Sequence, residues 1–351
     1  MMSTNRLILA TALLLSVFFN LSFFRHAAEF YPPQGNPAFI ASLFILLTAW
    51  NTVLLGLVAW RPIVKPVLVV VLLVSSLTAY FMDAYDVVIS DEMIQNLVET
   101  DVDESMDLFS VRLLMYLVLL GIVPSLLVYR VKIDARPFRA ELLSRLKLVS
   151  VAVLAIVAMV LAFGKAYSSL IREHKTVRFY ANPAYYLYSA GKYLAAAMRS
   201  PEGPVVPVGT DAAIPVTDQD RELVILVVGE SARADRFSLN GYARDTNPLL
   251  AREDVIYFSN VHSCGTSTAV SVPCMFSLSG YAGSGVERAR HENLLDVLTH
   301  AGVNVLWRDN NSDSKGVALR VPYENFKTEA NNPVCDVECR DVGMLAGLQE
   351  H

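Results

Sequence analysis

Five apolar runs in the first half of this chain decide most of what it can fold into: Leu7–Phe24, Ala38–Trp60, Ile63–Met82, Leu113–Tyr129 and Leu148–Gly164. A helix needs roughly 17–25 such residues to cross a bilayer. Hydrocarbon offers no partner to a backbone N–H or C=O, so runs of this kind must be helical. Five buried core helices in succession is the competing reading. Composition argues against it, because 54% of the 351 residues are AVILMFWYC, only 18% are charged, and the apolar excess is concentrated here. The net charge of -5, without any Lys/Arg block interleaved with aromatics, gives no support to nucleic-acid binding.

Orientation follows from the distribution of Lys and Arg. With a cytoplasmic N-terminus, that side carries Arg6, Arg61, Lys65, Arg130, Lys132, Arg136, Arg139, Arg145 and Lys147, whereas the first two opposite loops carry only Arg25 and Arg112. Everything after Lys165 then lies outside the cytoplasm. Reading the first run as a signal peptide cleaved near Ala27–Ala28 leaves four crossings and the same external C-terminal part.

All four cysteines, Cys264, Cys274, Cys335 and Cys339, fall in that part. An even count in an oxidising compartment reads as disulfides, most simply Cys264–Cys274 and Cys335–Cys339. A four-Cys zinc site is the alternative. The Cys335/Cys339 spacing permits it, and the wider Cys264/Cys274 separation disfavours it.

Between the third and fourth runs, Asp83–Val111 holds nine acidic residues and no basic one, with helical spacing at Met93 and Leu97. Lys165–Ser200 mixes six Tyr with Lys and Arg, a composition suited to headgroup level. Pro201–Gln219 reads as a linker. The chain is thus expected to divide into a transmembrane domain at 1–165, interfacial helices and linker at 166–219, and an α/β region at 220–351. In that region Leu223–Val228 (LVILVV) reads as a central parallel strand buried on both faces, and Val255–Val261 as another. Asn293–Ala301 reads as an amphipathic helix stopped by Gly302, Val303–Arg308 as a strand, and Asp341–Leu348 as the start of a further helix.

Three segments carry chemistry. Glu230 follows the first strand, where α/β sheets open their ligand crevice, and is placed to hold a metal; from position alone a surface glutamate is the commoner outcome. Cys264-Gly-Thr-Ser-Thr runs into a helix and offers hydroxyls and free N–H groups to a phosphoryl group, although an isolated Thr-Ser-Thr is usually an ordinary cap. Trp307–Gly316 (WRDNNSDSKG) offers amides, hydroxyls and one Lys as phosphate donors, or is a polar turn.

Taken together, VVGESARADRFSLNGYARDTNP, SCGTSTAVSVPCMFS, WRDNNSDSKG and NNPVCDVECRDVGML resemble, in order, segments of the lipid A phosphoethanolamine transferases, the mobilised colistin-resistance enzymes included. The resemblance extends into the anchor through SDEMIQNLVETDVDESMDL and KTVRFYANPAYYLYSAGK. It implies a multi-pass α-helical membrane domain with five transmembrane helices, followed by part of an α/β alkaline-phosphatase/sulfatase-like domain. That domain would be periplasmic, on an inner-membrane anchor.

The resemblance further implies zinc as cofactor, with Thr268 as nucleophile and metal contact and Glu230 as a metal ligand. Thr266, Asn311, Ser312 and Lys315 match positions near the phosphoethanolamine group, and Asn96 and Glu104 match positions linked to lipid binding. Ser231 stands where many relatives have Thr. Phosphatidylethanolamine is the implied donor and lipid A the acceptor, with reduced polymyxin sensitivity as the outcome. The family's remaining zinc ligands lie beyond residue 351, and none of His26, His174, His262, His291, His300 and His351 matches them. The 351 residues alone are therefore expected not to complete transfer. The rival readings are a transferase acting on periplasmic glucan or a lipopolysaccharide core sugar, and a non-catalytic truncated membrane protein.

Overall fold

A computed structural model describes residues 2–99, 109–134, 137–198, 204–229, 232–282, 291–311, 313–336 and 338–348. The chain forms two compact units, Met1–Met198 and Arg199–His351.

The first unit is helical: α1 (Thr4–Phe18), α2 (Leu21–Phe30), α3 (Pro37–Val58), α4 (Val64–Tyr85), α5 (Asp91–Glu99), α6 (Val111–Arg130), α7 (Phe138–Glu173) and α8 (Ala184–Ala197). Among the described residues α3, α4, α6 and α7 are each long and apolar enough to span. The α1–α2 pair, bent by 55°, makes a fifth candidate. The five expected runs are thus found, the first of them broken rather than straight.

The break is chemically covered. Carbonyls freed at a helix interruption need donors inside a membrane protein, and Asn20 and Asn182 provide them. The Asn20 side chain donates to Leu15 O (2.9 Å) and Asn182 O (2.8 Å), and Asn182 donates through its side chain to Phe19 O (3.3 Å) and Ser75 O (3.0 Å). The Asn182 N–H completes the exchange on Asn20 Oδ1 (2.8 Å). Ala27 is fully buried in this part of the unit.

Local sequence explains the other helix ends. Pro37 opens α3 at a position where its missing N–H costs nothing. Ser110 Oγ accepts from Leu113 N and caps α6. One turn later α6 widens into a π-helical stretch, Leu117–Ile122, just ahead of Pro124, whose ring would clash within a regular helix. At Gly121 the helix crosses α4 so closely that a Cβ would sit 2.7 Å from Ser76 Oγ. One apolar cluster joins Leu7, Ile8 and Leu15 of α1 to Leu68 and Leu72 of α4. A second joins Phe23, Phe39, Leu43, Met82, Tyr167 and Tyr180.

The second unit contains α9 (Thr268–Phe276), α10 (Leu294–His300), β1 (Trp307–Asp309) and β2 (Tyr323–Asn325). The two strands pair in parallel, Trp307 against Tyr323 and Asp309 against Asn325. The α10 helix stands where the sequence predicts one, with a capping box between Asn293 and Asp296 and a positive φ of 85° at Gly302 beyond its end. The Asp341–Leu345 segment is a 3₁₀ turn.

Two strand expectations fail. Leu223–Val228 is neither strand nor buried on both faces: Leu223, Val224 and Val227 are 71%, 81% and 80% exposed, and only Val228 reaches the core. Val255–Val261 is likewise irregular and exposed. An apolar run becomes a strand only when neighbouring backbones complete its ladder, and neither run has such a neighbour among the described residues. The strand expected at Val303–Arg308 begins only at Trp307, where Pro322 O accepts from its N–H and β2 lies alongside.

Candidate active site

The Thr-Ser-Thr segment is placed by its flanks. Cys264 and Cys274 form a disulfide with Cα atoms 6.4 Å apart, closing a loop over the start of α9, and Cys335 and Cys339 form the second. Gly265 fits because a Cβ there would lie 2.8 Å from Val270 Cγ1. Ser267 is the N-cap of α9 in extended conformation (φ -107°, ψ 146°), and its carbonyl accepts from Val270 and Ser271. Its hydroxyl is 6% exposed as a residue and has no hydrogen-bond partner among the described residues. Thr268, half-buried, is the first helical residue, and Thr266 is exposed. The first N–H groups of any helix lack intrahelical acceptors, so hydroxyls and amides converge at this helix start, a ready receptor for an anion.

The second candidate loop is joined to the first through the core. Val272 and Phe276 of α9 pack with Leu295, Val317 and Ala318, and Val228, Val305 and Trp307 lie against them. Phe276 meets Trp307 edge-on at 5.6 Å. Thr268 stands one helical turn before Val272, and Asn311 and Lys315 follow Trp307 on the adjoining loop. Val228 brings the chain to within two residues of Glu230.

Asp309 organises that loop. Buried at 6% exposure, it accepts from Asn311 N at 2.7 Å and from Trp307 Nε1 at 3.2 Å. Asn311 is exposed and Lys315 half-buried. Lys315 adopts φ 50°, a left-handed conformation costing a non-glycine residue about 1 kcal/mol and concentrated at functional sites. Asn310 donates to Cys339 O (2.8 Å) and Asp341 Oδ1 (3.0 Å), and buried Asn332 donates to Phe326 O and Arg340 O at 3.0 Å each. Arg308 reaches Met344 O (2.7 Å), Ala346 O (2.6 Å) and Glu324 (2.8 Å). The sequence offers Asn310 only as one of the amides of Trp307–Gly316 and singles out no role for Asp309, Arg308 or Asn332. The Asp-Asn-Asn run is itself a turn signal, but nothing in it foretells the partners thirty residues on.

Asn96 lies half-buried on α5 in the first unit, and Asp91 of the same helix pairs with Lys192 of α8 at 2.9 Å. Glu230, Ser231, Ser312 and Glu104 lie outside the described residues. No group of three His, Cys, Asp or Glu side chains capable of holding a metal occurs among the described residues. The described residues therefore do not by themselves make up a metal centre. The cysteines, being paired with each other, are removed from that role.

The phosphoethanolamine transferase EptA/EptB family profile matches residues 47–198, and the sulfatase profile matches 222–346. Phosphatidylethanolamine transferase Mcr-1 of Escherichia coli is 41% identical over 98% of this chain and 66% of its own length. EptA of Escherichia coli K12 is 34% identical over 98% of the chain and 64% of its own length. The solved integral membrane lipooligosaccharide phosphoethanolamine transferase A of Neisseria meningitidis superposes with a TM-score of 0.92 at 30% identity, covering 98% of this chain and 66% of that one.

This chain belongs to the lipid A phosphoethanolamine transferase family.

It spans just under two thirds of the length of these relatives. As a family member it is an inner-membrane protein whose sulfatase-like region is periplasmic, in agreement with the Lys/Arg distribution. Sulfatase-like phosphoethanolamine transferases are in general metal-dependent.

Proposed function

We propose that this chain supplies the anchor and the nucleophile for moving phosphoethanolamine from phosphatidylethanolamine to a lipid A phosphate. The carrying observation is Thr268 as the first residue of α9, beside the buried Ser267 hydroxyl, which has no hydrogen-bond partner among the described residues. In the first step the Thr268 oxygen forms a bond to phosphorus as the bond to diacylglycerol breaks, and the threonine proton ends on the departing oxygen. In the second, a lipid A phosphate oxygen bonds to phosphorus as the phosphorus–Thr268 bond breaks, and a proton from the acceptor phosphate or solvent returns to the threonine oxygen. The N–H groups of α9, with Thr266 and Lys315, would stabilise the charge on the phosphoryl oxygens. Asn311, held through Asp309, and Ser312 would add hydrogen bonds. Zinc, with Glu230 and Thr268 among its ligands, would supply Lewis acidity toward that hydroxyl when bound.

Asn96 and Glu104 are assigned to the lipid substrate. A Kdo sugar acceptor has the weaker support: the Kdo(2)-lipid A phosphoethanolamine 7''-transferase of Salmonella typhimurium is 25% identical, against 41% for phosphatidylethanolamine transferase Mcr-1.

The nucleophile is tested by peptide mass spectrometry. The chain is joined to the last third of Mcr-1, to supply the length it does not match, and exposed to phosphatidylethanolamine. Phosphoethanolamine should appear on the 264–274 peptide, vanish in Thr268→Ala and persist at reduced rate in Thr266→Ala. The latter loss is expected to be about 10²–10³-fold, as for one oxyanion donor. Modification surviving Thr268→Ala, or mapping to Ser267, would refute the assignment.

A further inference from the structure

We propose that the outer end of α7 binds a phosphate of the acceptor lipid, through Lys165, Ser168 and Arg172. The inference rests on the transfer reading for the identity of the lipid, and on the structure for the site. At 36 residues α7 is about 54 Å long, well beyond a hydrocarbon core of about 30 Å. Its apolar stretch ends near Gly164, next to a departure from helical geometry at Phe163 (φ -120°, ψ 19°). The turns from Lys165 to Glu173 therefore stand at the periplasmic headgroup level.

Two faces of these turns are distinct. Phe163, Ala166, Tyr167 and Leu170, at i, i+3, i+4 and i+7, pack into the apolar cluster of the first unit. Lys165, Ser168, Ser169 and Arg172 repeat the same spacing two residues later, about 200° around the helix. They face away from that core. With Gly164 and Glu173 they line a groove of about 430 Å³.

Lysine and arginine at the end of a span commonly do no more than extend to the water. Here they flank two hydroxyls, and neither forms an ion pair with a described residue, whereas Glu173 is engaged by Ser169 Oγ at 2.9 Å. Two cations against one carboxylate leave the groove with an excess positive charge. A phosphate monoester, carrying more than one negative charge at neutral pH, is matched better than the zwitterionic donor headgroup. Charge-assisted bonds from Lys165 and Arg172, with the Ser168 hydroxyl between them, would hold the phosphate oxygens, while Ser169 gives its one proton to Glu173.

The test reads binding without turnover, so an absence of transfer leaves its result standing. The purified 351-residue chain in detergent is mixed with lipid A, phosphatidylethanolamine, phosphatidylglycerol or phosphatidylcholine, and retained lipid is counted by native mass spectrometry. Lipid A should be retained in preference to the other three. Lys165→Ala with Arg172→Ala should weaken its retention at least tenfold, the loss of one or two charge-assisted bonds, and the charge-conserving Lys165→Arg with Arg172→Lys should restore most of it. Both positions are exposed, so the thermal midpoint of the alanine pair should stay that of the parent. Unchanged retention in the alanine pair, or equal retention of phosphatidylglycerol or phosphatidylcholine, would overturn the site.

Discussion

Single residues hold this chain together where its backbone is interrupted. Arg145, 2% exposed, donates to the carbonyls of Gly56 (3.1 Å) and Ala59 (2.8 Å) at the end of α3, pairs with Glu141 at 3.2 Å and stacks over Trp60. A cation placed against the last carbonyls of a helix satisfies groups that have no other acceptor role there. The pair is buried, so removing one partner strands the other. Arg145→Ala is expected to cost about 3–5 kcal/mol, read as a large fall in thermal midpoint in detergent, whereas Arg139→Ala on the exposed flank should change it little. Equal midpoints for the two variants would contradict the capping role. Arg145 was legible only as one more positive charge on the cytoplasmic side. Its burial depends on where α3 ends, which the local sequence does not state.

At the level of elements, α10 carries the determinants of its ends in its own sequence, and its stability is linked to pH. Asp296 closes the capping box through Asn293 N (2.8 Å) and takes a two-pronged contact from Arg320 (2.7 and 2.6 Å). Burial alone would raise its carboxyl, but the Arg320 bonds, the Asn293 N–H and the Arg320 charge hold it below the usual carboxylate range. A group depressed on folding stabilises above its unfolded pKa, about 3.9, and loses that contribution as pH falls through the lower folded value. Acidification from about pH 6 to about pH 3 should therefore lower the unfolding midpoint more in the parent than in Asp296→Asn. Identical acid sensitivity would show that this carboxylate is not depressed.

The helix was readable because its determinants are local: a cap, an amphipathic period, a glycine stop. LVILVV was misread for the opposite reason. Its hydrophobicity is real, but a strand is completed by its neighbours, and Leu223–Val227 lie exposed instead. The Thr-Ser-Thr loop falls between these cases. Its helix start and disulfide were legible, whereas the core contacts that bring Trp307 and the Asn311–Lys315 loop to α9 were not.

For the whole molecule, hydrophobic length and charge bias were enough to read the anchor, and four ordered motifs enough to read the family, because both are written in contiguous residues. What orders the site is long-range, through Asp309, Asn332 and Arg308. The orientation is checked by reporter fusions: alkaline phosphatase joined at Asp218 should be active and at Arg139 inactive, and the reverse would overturn the periplasmic placement of the disulfides and Thr268 together. The transfer itself is tested most directly on the lipid. A polymyxin-sensitive bacterium expressing this chain joined to the last third of Mcr-1 should yield lipid A carrying added phosphoethanolamine by mass spectrometry, and the Thr268→Ala version should yield none. Unmodified lipid A from a folded, membrane-inserted parent, or added phosphoethanolamine that survives Thr268→Ala, would contradict the account.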